Sequence, residues 1–210
     1  MPRNLILVPT DKELAVLRSV NAPALGDTRI ELCGFGPIAA AARTAFLIGE
    51  WQPENVFLIG VAGGIPAHTQ LSQAYVFDEV VCYGVGAGTG AAFQSAQVMG
   101  WLQWPTLQIG DRLALRVGAA LAKQIAGVLL SSTTASASAD EVRAKAVTCG
   151  DFAAEDMEGF SVALACALQS RPLTIVRGIS NCVGDRDHSR WRFQDAMVSA
   201  SQLAFQLLQD

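Results

Sequence analysis

Short apolar runs alternate with longer amphipathic stretches along most of the chain. Leu5-Ile6-Leu7-Val8 is a continuous apolar run of strand length, as in a parallel strand buried on both faces. Pro9 ends it, and Thr10-Asp11-Lys12-Glu13 has the spacing of a capping box opening a helix to about Val20. Arg29 to Cys33 predicts a second strand. Gly34-Phe35-Gly36-Pro37 follows, with Pro37 placed as a first helical residue, and Ala39 to Trp51 predicts a helix. Val56 to Ile59 predicts a third strand, ending in Gly60-Val61-Ala62-Gly63-Gly64. Tyr75 to Tyr83, β-branched and aromatic, predicts a fourth, with loops over Gly84 to Gly90 and Trp101 to Gly110. Further on, the pattern predicts a helix over Asp111 to Gln124, a strand over Val128 to Ser132 and a short helix over Asp140 to Ala146. A strand over Phe152 to Glu155 leads into a helix over Phe160 to Leu168. Leu173 to Ile179 predicts the last strand and Phe193 to Leu208 the closing helix.

Strand and helix in alternation imply an α/β fold: a single domain over residues 1–210 with a mostly parallel central sheet flanked by helices. Ligands of such sheets sit beyond the carboxyl ends of the strands. Three strand ends are polar or glycine-rich: Pro9 to Glu13, Gly60 to Gly64 and Ser180 to Gly184.

Composition narrows the function. A net charge of -4 argues against a nucleic-acid partner, which would need a basic face. No apolar run reaches the roughly 18 residues of a membrane span. Ala114 to Leu130 is interrupted by Arg116, Lys123 and Gln124. The start lacks a basic segment followed by an apolar one, so no signal peptide is expected. The five cysteines are scattered and odd in number, which fits reduced thiols and a cytoplasmic location. Two distant histidines, His68 and His188, give no support to a metal site.

Four motifs occur in a fixed order: Gly34-Phe35-Gly36-Pro37, Gly60-Val61-Ala62-Gly63-Gly64-Ile65, Asp156-Met157-Glu158 and Arg177-Gly178-Ile179-Ser180-Asn181. Together they resemble the purine nucleoside phosphorylase/nucleosidase superfamily over nearly the whole chain. Within it, Pro9-Thr10-x-x-Glu13 and the Gly178 to Trp191 segment resemble the futalosine hydrolases, nucleosidases of menaquinone biosynthesis. The methylthioadenosine/S-adenosylhomocysteine nucleosidases are their relatives. The resemblance implies a purine nucleoside and water as substrates, no cofactor or metal, and a homo-oligomer, dimer or higher. It implies release of hypoxanthine, with the second class of nucleosidase or an inactive nucleoside-binding protein as alternatives. By position it makes Glu13 the carboxylate that activates water and Glu158 the one that holds the ribose hydroxyls. Met157 packs on the sugar, and Asn181 stands where adenine nucleosidases carry the aspartate that protonates the base. Ala62 and Gly63 border the substrate. The family's adenine-specific members carry a stacking aromatic before the Asp-Met-Glu motif. Thr133 to Ser138 has none, which leaves the stacking residue unassigned.

The chemistry agrees with these residue types. Breaking an N-glycosidic bond builds positive charge on the sugar, which a carboxylate stabilises, and negative charge on the base, which a donor or acid helps to leave. The glycine-rich loop holds no Arg, Ser or Thr to bind phosphate, and Glu13 would repel one, so hydrolysis is expected over phosphorolysis. Taken singly, each residue has an ordinary use: Glu13 as part of a cap, Glu158 as a first-turn acid, Asn181 as a turn residue. Arg186, Arg190 and Arg192 cluster after Asn181 and are candidates for a substrate carboxylate.

Overall fold

The computed structural model describes residues 2–21, 25–118, 121 and 123–209. Strand β1 (Asn4–Val8) is buried from Leu5 onward, as its unbroken apolar run requires. Thr10 then caps helix α1 (Asp11–Ser19), its side chain accepting from the Glu13 N–H. Strand β2 (Thr28–Leu32) lies parallel to β1, and helix α2 (Gly36–Trp51) follows. Pro37 stands in the first turn of α2, where its missing N–H is no loss.

The organising strand is β3 (Asn55–Gly64). One of its edges pairs along nearly its whole length with parallel β11 (Leu173–Cys182). The other edge forks. Its first half pairs with β1, and its last two residues pair with β10 (Ala154–Asp156). From β10 the sheet continues through β9 (Val128–Ser132), β5 (Glu79–Tyr83) and β8 (Arg112–Ala114), while β4 (Ala74–Val76) borders β11. Five of its strand pairs are parallel and three antiparallel. A separate ribbon joins β6 (Gly86–Ala87) to β7 (Gln94–Ser95).

Helices cover both faces. On one, α1 and α5 (Phe193–Leu207) bury Leu14, Leu17, Met197 and Ala204 against Ile6, Ile59 and Val176. On the other, α2 and α4 (Gly159–Leu168) bury Leu47, Ile48, Phe160 and Val162 against Leu5, Leu58 and Ile175. Helix α3 (Ala139–Cys149) packs near β5. Among the described residues no helix is long and apolar enough to cross a membrane.

Four expectations change. Gly60 to Gly64 and Ser180 to Cys182 are strand rather than loop, because the two segments pair with each other, Ala62 with Ile179 and Gly63 with Asn181. Tyr75 to Tyr83 is two strands, since β4 pairs with β11 whereas β5 pairs with β9. Asp111 to Gln124 does not begin as a helix: Arg112–Ala114 is an edge strand antiparallel to β5, and Arg112 pairs with Glu79. Residues 119, 120 and 122 of that stretch lie outside the described residues. Gly84 to Gly90 contains β6.

Candidate active site

The carboxyl ends of β1, β3 and β11, together with the residues after β10, surround a cavity of about 850 Å³. Glu13, Ala62, Gly63, Met157, Glu158 and Asn181 all line it, so all six sequence-derived candidates come together. That volume falls within the usual range for small-molecule sites.

Glu13 starts from the cap. Thr10 holds the Glu13 N–H, but the Glu13 carboxylate does not reach back to the cap backbone as in a capping box. One oxygen accepts from Thr10 Oγ1 at 2.6 Å and the other from the Val61 N–H at 3.0 Å. The cap positions the helix, and the carboxylate, 4 % exposed, is aimed at the end of β3.

Glu158 is held by the amino end of α2. Its Oε1 accepts from the Gly36 N–H at 2.9 Å, and its Oε2 lies 3.3 Å from Arg177 Nη2. Gly36 has φ of 79°, a backbone state that suits glycine. Arg177 is wholly buried and also donates through Nε to Asp156 Oδ2 at 3.0 Å. A side chain at position 60 would collide with Arg177 Nη1 at 2.1 Å and Glu13 Oε1 at 2.7 Å, so Gly60 is what lets these two groups approach. Three buried carboxylates, Glu13, Asp156 and Glu158, therefore surround one guanidinium.

The charges follow. Desolvation pushes the Glu158 carboxyl up to about 7, against the pull of Arg177 and with a push from Asp156. Burial works against the Arg177 charge, but Asp156, Glu158 and Glu13 outweigh it and hold the guanidinium protonated more firmly than usual. Such a site favours a cation and disfavours an anion.

Asn181 is 8 % exposed. Its Nδ2 donates to Cys182 O at 2.9 Å and Asp185 O at 3.4 Å, and its Oδ1 accepts from Ser180 Oγ at 2.8 Å. Two carbonyls facing one end fix the amide orientation, since only NH₂ can pair with both. The side chain therefore offers the cavity an acceptor, and its NH₂ is engaged by the backbone.

Sequence reasoning missed several cavity residues. Glu155 and Ser136 line one wall, and Phe35, His188, Trp191 and Phe193 supply aromatic surface. Of the three candidate arginines only Arg186 lines the cavity, with its guanidinium 5.0 Å from the Trp191 ring centre. Arg190 is paired with Asp185 at 2.5 Å. Trp191 was visible in the sequence as the end of the Gly178 to Trp191 segment and Phe35 as part of Gly34-Phe35-Gly36-Pro37, whereas nothing local sets Glu155 apart from the acids beside it. Among the described residues no group of three His, Cys, Asp or Glu side chains is arranged to hold a metal ion.

The phosphorylase superfamily model matches residues 26–210. A 5'-methylthioadenosine/S-adenosylhomocysteine nucleosidase of Marinomonas is 33% identical over 157 residues, covering 72% of this chain and 66% of that protein. The futalosine hydrolase of Streptomyces coelicolor is 28% identical over 174 residues, covering 79% and 72%. A solved nucleosidase of the first kind from Colwellia psychrerythraea, in complex with adenine, superposes with a TM-score of 0.77. It shares 22% identity and covers 98% of this chain and 94% of its own. The chain belongs to the phosphorylase superfamily, and the relatives named here are nucleosidases.

Proposed function

We propose that the protein hydrolyses the N-glycosidic bond of a purine nucleoside, and that the nucleoside is futalosine, releasing hypoxanthine. The observation that carries the hydrolysis is the set of three buried carboxylates around Arg177. As the bond from the sugar's anomeric carbon to the base breaks, its electron pair leaves with the base and the sugar becomes oxocarbenium-like. Glu158 and Asp156 stabilise that cation electrostatically, and Glu158 accepts from the ribose hydroxyls. Glu13 Oε1 takes the proton of the attacking water. Arg177 Nη1, buried without a hydrogen-bond partner, supplies a donor beside it. Asn181 Oδ1 accepts from the protonated five-ring nitrogen of the leaving base; the proton itself comes from solvent, because a neutral amide has none to give. Met157 packs against the sugar. The excess of carboxylates disfavours a phosphate nucleophile.

Futalosine carries an aromatic carboxylate at the five-prime end. Arg186 against Trp191, with Phe35 also lining the cavity, offers a cation and aromatic surface for it. A second reading, methylthioadenosine/S-adenosylhomocysteine cleavage, is favoured by the 33% identity to the Marinomonas nucleosidase. Incubation with futalosine, inosine and methylthioadenosine, with products identified by mass spectrometry, separates the two. The proposal expects hypoxanthine from futalosine at the highest kcat/KM. Adenine from methylthioadenosine as the preferred product would establish the second reading instead.

A further inference from the structure

Glu155 is a buried acid that the mechanism leaves unused. Its Oε1 accepts from Lys145 Nζ at 2.5 Å, and both its oxygens lie 3.2 Å from the Ser136 N–H. Lys145, itself 4 % exposed, is held further by Ser132 Oγ at 3.0 Å and Thr134 O at 2.6 Å. Glu155 Oε2 keeps acceptor capacity beyond the Ser136 contact, and Glu155 lines the cavity. Beside it, Ser136 Oγ is buried without any hydrogen-bond partner and belongs to the same wall, with Ser136 only 2 % exposed.

The register places this pair relative to Asn181. Asn181 on β11 and Glu155 on β10 both face Gly63 of β3, one from each side. Gly63 contributes no side chain between them. Two strand spacings separate the two backbones by about 10 Å, room for a fused bicyclic base with one hydrogen bond at each edge. With Asn181 Oδ1 at the five-membered ring, Glu155 and Ser136 stand at the six-membered ring.

Resting on the nucleosidase reading above, we infer that Glu155, aided by the Ser136 hydroxyl, is the specificity-determining residue that selects 6-oxopurines by accepting from the N1–H. A 6-oxopurine carries a hydrogen on N1 and an acceptor oxygen at C6, matching a carboxylate and a hydroxyl. Adenine presents a bare N1 lone pair. The Ser136 N–H, the backbone donor at this edge, is engaged by Glu155, so adenine's N1 meets a carboxylate. The Asn181 NH₂ is not free to supply this discrimination, since it faces Cys182 O and Asp185 O. A mismatched buried acceptor pair corresponds to about a ten- to hundredfold preference.

Calorimetry on the unaltered protein tests this with three free bases: hypoxanthine, 1-methylhypoxanthine and adenine. Hypoxanthine should bind at least about tenfold more tightly than the other two. Equal affinity for hypoxanthine and its 1-methyl derivative overturns the assignment. Glu155→Gln, which keeps an oxygen for Lys145, should narrow the kcat/KM ratio of inosine to adenosine about tenfold or more. A uniform loss on both nucleosides would show Glu155 to be only a brace for the Thr133–Ser138 segment and overturns the proposal. No binding of any base, with no base released from any nucleoside, overturns the nucleosidase reading and this one with it. Binding of all three bases alike, with base release intact, overturns this one alone.

Discussion

One proton on Glu158 should move stability and activity in opposite directions. An unfolded glutamate titrates near 4.5, whereas folding pushes Glu158 up to about 7, chiefly by desolvation. Between those values the folded chain binds more protons than the unfolded one, so stability declines as pH rises through this window. The displacement corresponds to a loss on the order of 3 kcal/mol. For a chain of this size that is roughly 6–12 °C in Tm. Glu158→Gln keeps an oxygen for the Gly36 N–H and removes the titration. The Tm of Glu158→Gln minus that of the unaltered protein should therefore rise by about that amount from pH 5 to pH 8. Activity runs the other way, because the ionised carboxylate is the form that stabilises the sugar cation. The kcat/KM of the unaltered protein should climb by about tenfold per pH unit below 7 and level off above it. Thermal unfolding by circular dichroism and initial rates on both proteins, from pH 5 to 8.5, measure the two effects. A Tm difference that does not change with pH, or an acidic limb of kcat/KM that survives in Glu158→Gln, would refute the reasoning.

Glu13→Gln should lower turnover by roughly 10²–10⁴-fold. Its Tm should move little, because a Gln can still accept from the Val61 N–H and donate to Thr10; near-normal turnover would reduce Glu13 to a cap. Asn181→Asp sets a carboxylate oxygen against Cys182 O and Asp185 O, costing about 1–3 kcal/mol of stability and lowering activity on 6-oxo and 6-amino nucleosides alike. A gain on adenosine alone, read from kcat/KM, would contradict that. Arg186→Ala should raise KM for futalosine while leaving inosine unchanged, and Arg190→Ala should leave both substrates unchanged, because Arg190 faces Asp185 and Asp187. Equal effects of the two variants in steady-state kinetics would place the substrate carboxylate elsewhere.

Most of the architecture was legible because the buried strands are short apolar runs and the helices carry a regular periodicity. Leu5 to Val8 and Val128 to Ser132 needed nothing beyond their own composition. The misread stretch at Asp111 shows what local pattern cannot supply. Arg112–Ala114 has helix-compatible residues, but pairing with the β5 edge and the Arg112–Glu79 contact decide its state. The same holds at β3 and β11, where glycine-rich and polar motifs read as loops until each is seen to pair with the other. Among the cavity residues, the ordered motifs marked Met157, Glu158 and Asn181, and the Pro9-Thr10-x-x-Glu13 pattern marked Glu13. The direction of the Asn181 amide was hidden, since it depends on Asp185 O four residues on folding back toward it. Glu155 was hidden too, because its partner Lys145 lies on another element and burial of the pair is a property of the assembled fold.

The central claim is that water, activated at Glu13 in a site too negative for phosphate, is the nucleophile. It is tested most directly by running the reaction in ¹⁸O-labelled water with inorganic phosphate present. The account predicts free base and a reducing sugar carrying ¹⁸O at the anomeric carbon, at a rate independent of phosphate. A sugar 1-phosphate without the label, formed in proportion to phosphate, would contradict it.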